Sequence, residues 1–209
     1  MSNTGSLPDG LILSAGFSSR MKHFKPLMSW QGEPLLLLII KKMLPVCNSI
    51  VIVTGFRGDE VEQTILKLLD PELHEKVQCV HNPAYAEGMY GSLQTGFRTL
   101  HQSEWVLFHF VDQPGLPSTF YKEFTEQISP EYNWIQPRHN ERNAHPILIH
   151  QELFPLIYQD NTYSSLRDIS RLPVVKKKLW ACSYPSVLFD IDTEDDWNKF
   201  LNQWEEGVV

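Results

Sequence analysis

Leu11-Ile12-Leu13-Ser14-Ala15-Gly16-Phe17-Ser18-Ser19-Arg20-Met21-Lys22-His23-Phe24-Lys25-Pro26-Leu27 lies near the start of the chain, and its reading decides the rest. An apolar run ends in Ala15-Gly16, a small-residue loop follows, and two basic side chains, Arg20 and Lys25, arrive close together. A strand that stops at a glycine leaves backbone N–H groups pointing into a loop. Glycine and serine let such a loop close on phosphate oxygens, and Arg20 with Lys25 would supply the positive charge a triphosphate needs. Neither Gly-x-x-x-x-Gly-Lys-Ser/Thr nor Gly-x-Gly-x-x-Gly is present. This is a phosphate loop of a different kind.

Outward from this loop the chain alternates. Residues 10–14, 50–55, 77–80 and 105–111 are short, apolar or β-branched runs and read as strands. Residues 34–44, opened by Pro34, then 59–69 and a stretch from Tyr90 or Gly91 to residue 100 have helical apolar spacing. Such alternation predicts right-handed βαβ crossovers and a mainly parallel sheet with helices on both faces. The later half is less regular. Strands are expected over 131–135 and 145–149 around a polar loop at 137–143, short helices over 152–158 and 164–170, and strands near 174–184 and 187–190. Thr193-Glu194-Asp195-Asp196 caps a last helix running to about residue 204, with acidic side chains at its positive end. Residues 1–9 are polar and expected to be loose, and with no repeat, low-complexity segment or linker the reading is one domain over 1–209.

Composition narrows the partners. Apolar residues are 42% and charged residues 21%, a globular balance, in 209 residues that suffice for a substantial core. A net charge of −7 argues against a general nucleic-acid surface and sets off the basic residues around Arg20 and Lys25, which favours a small anionic ligand. Cys47, Cys79 and Cys182 stand far apart, with no zinc spacing, and read as buried or half-buried thiols in a reducing compartment. No secretory leader is visible, and the run from Leu35 to Ile40 is too short for a membrane span, so the expected location is cytoplasmic. Lys176-Lys177-Lys178 reads as a solvated strand edge.

Four further constellations carry possible chemistry. Asp112-Gln113-Pro114 follows a strand end, where open α/β sheets bind ligands; Asp112 suits Mg²⁺ beside a triphosphate, or is simply a turn residue before proline. In Phe189-Asp190-Ile191-Asp192 the alternation sets both carboxylates on one face of a strand end, so either could complete a Mg²⁺ site. Helix capping accounts for 193–196 but not for Asp190. The glycine-punctuated segment from Asn82 through Gly88, Met89, Ser92 and Gly96 could admit a nucleobase and ribose, or could be an ordinary capped helix. His145-Pro146 precedes an apolar run, and a lone histidine there is as readily structural as functional.

The loop Leu13-Ser14-Ala15-Gly16-Phe17-Ser18-Ser19-Arg20-Met21 with Lys25 closely resembles the signature of the nucleotidyltransferases, most of all the molybdenum-cofactor cytidylyltransferases and their relatives. Their usual pattern is Leu-Ala-Ala-Gly-x-Ser-x-Arg-Met-Gly-x-x-Lys, from which Ser14 and Lys22 depart. Asp112-Gln113-Pro114 resembles the family's metal-binding turn. Residues 190–196 look like Asp-Ile-Asp-Thr-Pro-Glu-Asp, with Glu194 in place of the proline. Residues 82–96 match Asn-x-x-x-x-x-Gly-Met-x-x-Ser-Leu-x-x-Gly at every named position. His145-Pro146 resembles a Gly-His-Pro on the acceptor side, with Ala144 for the glycine, and Gln159-Asp160-Asn161-Thr162 stands where relatives often carry Gly-Asp-x-Gly.

The resemblance implies a three-layer α/β/α, Rossmann-like nucleotidyltransferase (nucleotide-diphospho-sugar transferase) fold with a mostly parallel sheet. It implies that CMP passes from CTP to a molybdopterin-type cofactor with release of pyrophosphate, with Mg²⁺ as cofactor and a molybdoenzyme as a possible contact. Arg20, Lys25 and Asp112 are the implied catalytic residues. Leu13, Ser14, Ala15, Gly16, Ser18, Ser19, Arg20, Lys25, Asn82, Gly88, Met89 and Ser92 would bind nucleotide. Asp112 with Asp190 or Asp192 would bind metal, Asp190 being preferred, and His145 and Pro146 would line the acceptor side. Two other readings stand beside this one. The first is a guanylyltransferase or a sugar- or alcohol-phosphate nucleotidyltransferase on the same scaffold; the second is a non-catalytic accessory protein that binds the cofactor.

Overall fold

Apolar runs too short to be helices pair edge to edge in the computed structural model, which describes residues 7–159 and 162–205. The first half runs β1 (Asp9–Ser14), β2 (Ser29–Trp30), β3 (Glu33–Pro34), α1 (Leu35–Met43), β4 (Ile50–Thr54), α2 (Gly58–Leu68), β5 (Val77–His81), α3 (Met89–Thr99) and β6 (Trp105–Phe110). The second runs α4 (Ser118–Thr125), β7 (Trp134–His139), β8 (Arg142–Asn143), β9 (Ile147–His150), α5 (Phe154–Tyr158), α6 (Leu166–Ile169), β10 (Lys177–Ala181) and α7 (Glu194–Glu205). One eight-stranded sheet has the order β10-β7-β9-β6-β1-β4-β5, with β8 added to β7, and β2 and β3 form a separate ribbon. Pairing is parallel from β6 through β1 and β4 to β5, and again between β10 and β7; β9 alone is antiparallel to both its neighbours. The mostly parallel α/β/α architecture expected from the alternation is the one observed.

Side-chain alternation on the central strands builds two cores. Ile12, Ile50, Ile52 and Leu107 face α1, α2 and α4. Leu11, Leu13, Val51, Val53, Val106 and Phe108 face α3, α5 and α6. Strands buried on both faces read as continuous apolar runs, as residues 50–53 and 105–108 do. A smaller cluster of Met21, Met28, Leu35, Ile191 and Phe200 docks α7 against the loop after β1 and the start of α1.

Several boundaries differ from the sequence reading, each for a local reason. Pro34 does not open α1 but pairs with Ser29 in the ribbon, one residue before the helix. β7 starts three residues later than expected and continues through Pro137, which lies opposite Trp180 of β10. The strand expected over 187–190 is instead a 3-10 turn at Pro185–Leu188, whose Val187 turns into the core. Helix α4 was not anticipated, although Phe120, Tyr121 and Phe124 carry a helical spacing and are fully buried. Of the segment expected to be loose, residues 7–9 are held: Asn48 donates to the carbonyls of Leu7 and Pro8, and Ser49 and Ser103 donate to the Asp9 carboxylate. Residues 1–6, and Asp160 and Asn161 of the Gln159–Thr162 segment, lie outside the described residues. Among the described residues no helix is long and apolar enough to cross a membrane.

β1 has β4 on one side and β6 on the other, so the crossovers leave its carboxyl end in opposite directions and open a crevice there. Gly55, just past β4, sets how tightly the next loop closes over that crevice. A Cβ on Gly55 would lie 2.5 Å from the Tyr85 side chain and 2.8 Å from the Ala15 carbonyl oxygen. That oxygen also accepts from the Phe56 amide at 3.1 Å and cannot retreat. Gly55→Ala should therefore cost about 1–3 kcal/mol in a denaturant titration. Gly16→Ala, whose Cβ would meet nothing within 4 Å, should stay within about 0.5 kcal/mol of the parent.

Candidate active site

At the carboxyl ends of β1 and β6 lies a cavity of about 390 Å³. Leu13, Ser14, Ala15, Gly16, Ser18, Ser19, Arg20 and Lys25 line one side, Gly88, Met89 and Ser92 another, and Asp112 and Asp192 the floor. These residues are dispersed in sequence and meet here. Phe17, Pro26, Tyr85, Ala86, Phe110 and Val111 line it too. None of these six was singled out from the sequence, because nothing in an isolated aromatic or alanine distinguishes a cavity wall from a core position.

The loop after β1 is shaped by its own hydrogen bonds. Ser18 adopts a left-handed conformation (φ +53°). Its hydroxyl accepts from the Lys25 amide at 3.1 Å and its carbonyl from the Met21 amide at 2.8 Å. This curl carries Lys25 beneath the loop, where it is only 8% exposed. A buried ammonium needs partners. Lys25 Nζ lies 2.9 Å from Asp192 Oδ1 and 4.0 Å from Asp112 Oδ2, and Arg20 Nη2 meets the same Asp192 oxygen at 2.9 Å. The Lys22 backbone amide donates to Glu194 at 2.7 Å, which joins two of the positions where the chain departs from the family pattern.

Charge is concentrated on this floor. Burial pushes the Asp112 carboxyl up to about 6; Lys25 pulls it down, and Asp190 and Asp192 push it further up. Asp190 is raised chiefly by burial, against the hydrogen bond from Gln113. Of the two candidates for a second metal carboxylate, Asp192 lines the cavity, whereas the preferred Asp190 accepts from Gln113 Nε2 at 2.7 Å and stands outside the lining. Among the described residues no group of three or more His, Cys, Asp or Glu is arranged to hold a metal. Two carboxylates nonetheless match the way Mg²⁺ binds nucleotides, by one or two protein oxygens plus phosphate and water.

Opposite the loop after β1, Gly88 adopts φ +131°, which favours glycine, and leads into α3. Asn82 does not line the cavity. Its amide donates to Ser92 Oγ at 2.9 Å and its oxygen accepts from the Ala84 amide at 3.1 Å, so it orients Ser92. Phe17, 49% exposed, packs against Phe56 and Tyr85 at the mouth. His145 and Pro146 stand outside the lining, behind Phe110, whose ring centroid is 4.6 Å from that of His145. Burial pushes His145 down to about 4, so it is neutral at pH 7.

Holding Asp112 charged in this setting works against folding. An acid whose folded pKa lies above its unfolded value stabilises the fold below the unfolded pKa and loses that contribution as pH rises through the folded one. In metal-free protein, Asp112→Asn should raise stability at pH 8 by on the order of 1–3 kcal/mol. The gain should vanish as pH falls from about 6 towards 4. Thermal unfolding in EDTA at the two pH values checks this.

Residues 10–178 match the MobA-like NTP transferase domain. The molybdenum cofactor cytidylyltransferase of Escherichia coli (strain K12) is 27% identical over 198 residues, covering 95% of this chain and 97% of that protein. A probable molybdenum cofactor guanylyltransferase of Bacillus anthracis (strain CDC 684 / NRRL 3495) is 25% identical over 203 residues, covering 95% and 93%. The crystal structure of Rv0371c from Mycobacterium tuberculosis H37Rv in complex with manganese superposes with a TM-score of 0.74 at 16% identity, covering 94% of this chain and 99% of that one. The loop after β1 on a mostly parallel sheet accords with the match across most of the chain, which places this protein in the MobA-like NTP transferase domain family, and it is a nucleotidyltransferase.

Proposed function

We propose that the protein transfers CMP from CTP to the terminal phosphate of a molybdopterin-type cofactor, releasing pyrophosphate in a Mg²⁺-dependent reaction. The observation that carries this reading is the buried Lys25, placed between Asp112 and Asp192 beneath a glycine- and serine-rich loop. The likeness to the Escherichia coli cytidylyltransferase over nearly the full length of both chains supports the choice of donor.

In this reading an acceptor phosphate oxygen attacks the α-phosphorus in line. The new O–P bond forms as the α–β bridging bond breaks, and the electron pair leaves on pyrophosphate. The attacking oxygen is already an anion, so no protein base is needed; positioning and charge neutralisation carry the rate. Amides of the loop from Ala15 to Ser19 and the Arg20 guanidinium hold the β- and γ-phosphates. Lys25 meets the charge that develops on the α-phosphate. Asp112 and Asp192 would hold Mg²⁺, which when bound offsets triphosphate charge; the manganese complex of the Mycobacterium tuberculosis protein supports a divalent ion on this fold. Ser92, oriented by Asn82, and the backbone near Gly88 and Met89 receive the base and ribose. The acceptor approaches from the side of Phe110, with neutral His145 and Pro146 behind it.

GTP is the second donor to weigh, because the Bacillus anthracis guanylyltransferase matches over a similar span. Calorimetric titration with CTP, GTP, ATP and UTP, each with and without Mg²⁺, separates these readings. The expected result is Mg²⁺-dependent selectivity for CTP, lost in Asp112→Ala, followed by pyrophosphate release when molybdopterin is added. Lys25→Ala should lower kcat by about 100-fold or more; full turnover in that variant would overturn the assignment. Preference for GTP would move the protein to the guanylyl relatives, and nucleotide binding with no pyrophosphate release would favour an accessory role.

A further inference from the structure

Asp112 and Asp192 stand on separate loops, and both side chains approach Lys25 Nζ. The residues beside them tie the two loops together. Gln113 is 3% exposed; its Nε2 donates to Asp190 Oδ1 at 2.7 Å and to the Val187 carbonyl at 3.2 Å. In the same place the Ile191 amide donates to the Asp112 carbonyl at 2.8 Å. Lys42 Nζ ties the far end of the turn through the Pro114 carbonyl at 2.9 Å. Ile191, fully buried against Met21, Met28, Leu35 and Phe200, separates the two aspartates. Asp190 meets Gln113, and Asp192 meets Lys25.

Gln113 Oε1 is buried and has no hydrogen-bond partner. A stranded acceptor is costly. Turning the amide over would not relieve it, because Asp190 Oδ1 and the Val187 carbonyl are both acceptors and would then face an oxygen. The orientation that leaves Oε1 alone is the one that joins the two loops. Unsatisfied groups kept in this way are expected where function is served at the expense of stability.

We propose that Gln113 and Asp190 form a latch that sets the separation of the Asp112 and Asp192 carboxylates, with Asp190 a positioning residue and not a metal ligand. This rests on the reading of Asp112 and Asp192 as the metal-holding pair. Groups that orient first ligands commonly govern metal affinity by about 10–100-fold without touching the ion.

Mn²⁺ binding to the metal-free protein, followed by electron paramagnetic resonance, tests the latch apart from activity. Asp192→Asn should lose at least about tenfold in Mn²⁺ affinity. Asp190→Asn keeps an acceptor oxygen for Gln113 and should stay within about twofold of the parent. Asp190→Ala and Gln113→Ala should each weaken Mn²⁺ binding about tenfold, and the double variant no more than either alone. The Mg²⁺ concentration for half-maximal turnover should shift in the same pattern, with KM for the nucleotide at saturating Mg²⁺ unchanged. Loss in Asp190→Asn as large as in Asp192→Asn would make Asp190 a ligand and overturn the latch. Parental affinity in Asp190→Ala and Gln113→Ala would overturn it as well. Parental affinity in both Asp112→Asn and Asp192→Asn would instead remove the metal pair, and the latch with it. Should the alanine variants fail to fold, the contrast between the two asparagine variants still decides the role of Asp190.

Discussion

A buried ammonium between two carboxylates is the constraint around which this molecule is arranged. Lys25 Nζ sits under the loop after β1 with Asp192 at 2.9 Å and Asp112 at 4.0 Å. Its charge is met out of water by anions that come to it from distant parts of the chain, Asp192 being the nearer. Asp112 arrives at the end of a strand beside β1. Asp192 arrives because α7, through Phe200, packs on Met21, Met28 and Leu35 and brings the preceding segment under the loop. Chain order, sheet order and the docking of α7 thus converge on one point.

The same contacts shape the loop after β1. Arg20 and Lys25 share one oxygen of Asp192, and the Lys22 amide reaches Glu194. A family proline at position 194 would offer no carboxylate for that amide. Glu194 thereby supplies a partner for the backbone amide at 22, which any non-proline residue there would donate. Preorganisation of this sort lowers the cost of ordering a loop around a charged ligand. Its counterpart is electrostatic: Asp112 is held near neutrality's edge by burial and its acidic neighbours. Active sites often keep such tension because the ligand resolves it.

Gly55 and Asn82 show how the opposite wall is held. The first lets Tyr85 and the Ala15 carbonyl approach closer than any side chain would allow. The second uses both ends of its amide to orient Ser92 and the Ala84 turn. Neither needs to touch a ligand to decide the cavity's shape.

Much was legible in the residues themselves. The alternation of short apolar runs with helical spacings is a local property of each segment, and it was enough for a mostly parallel α/β/α fold. Residues 13–25 drew attention as a candidate phosphate loop because glycine, serine and two cations at that spacing suit anion binding. Other features depended on partners remote in the chain. Pro137 suggests a loop until β10 lies beside it, and residues 187–190 suggest a strand until Val187 is drawn into the core. Residues 189–193 form no strand, and there Gln113 pairs with Asp190 while Lys25 pairs with Asp192. What the sequence determined alone was the periodicity and the chemistry on offer. Which carboxylate faces Lys25 was decided only by tertiary structure, since hydrogen bonds and burial between distant segments settle where a charge can be tolerated.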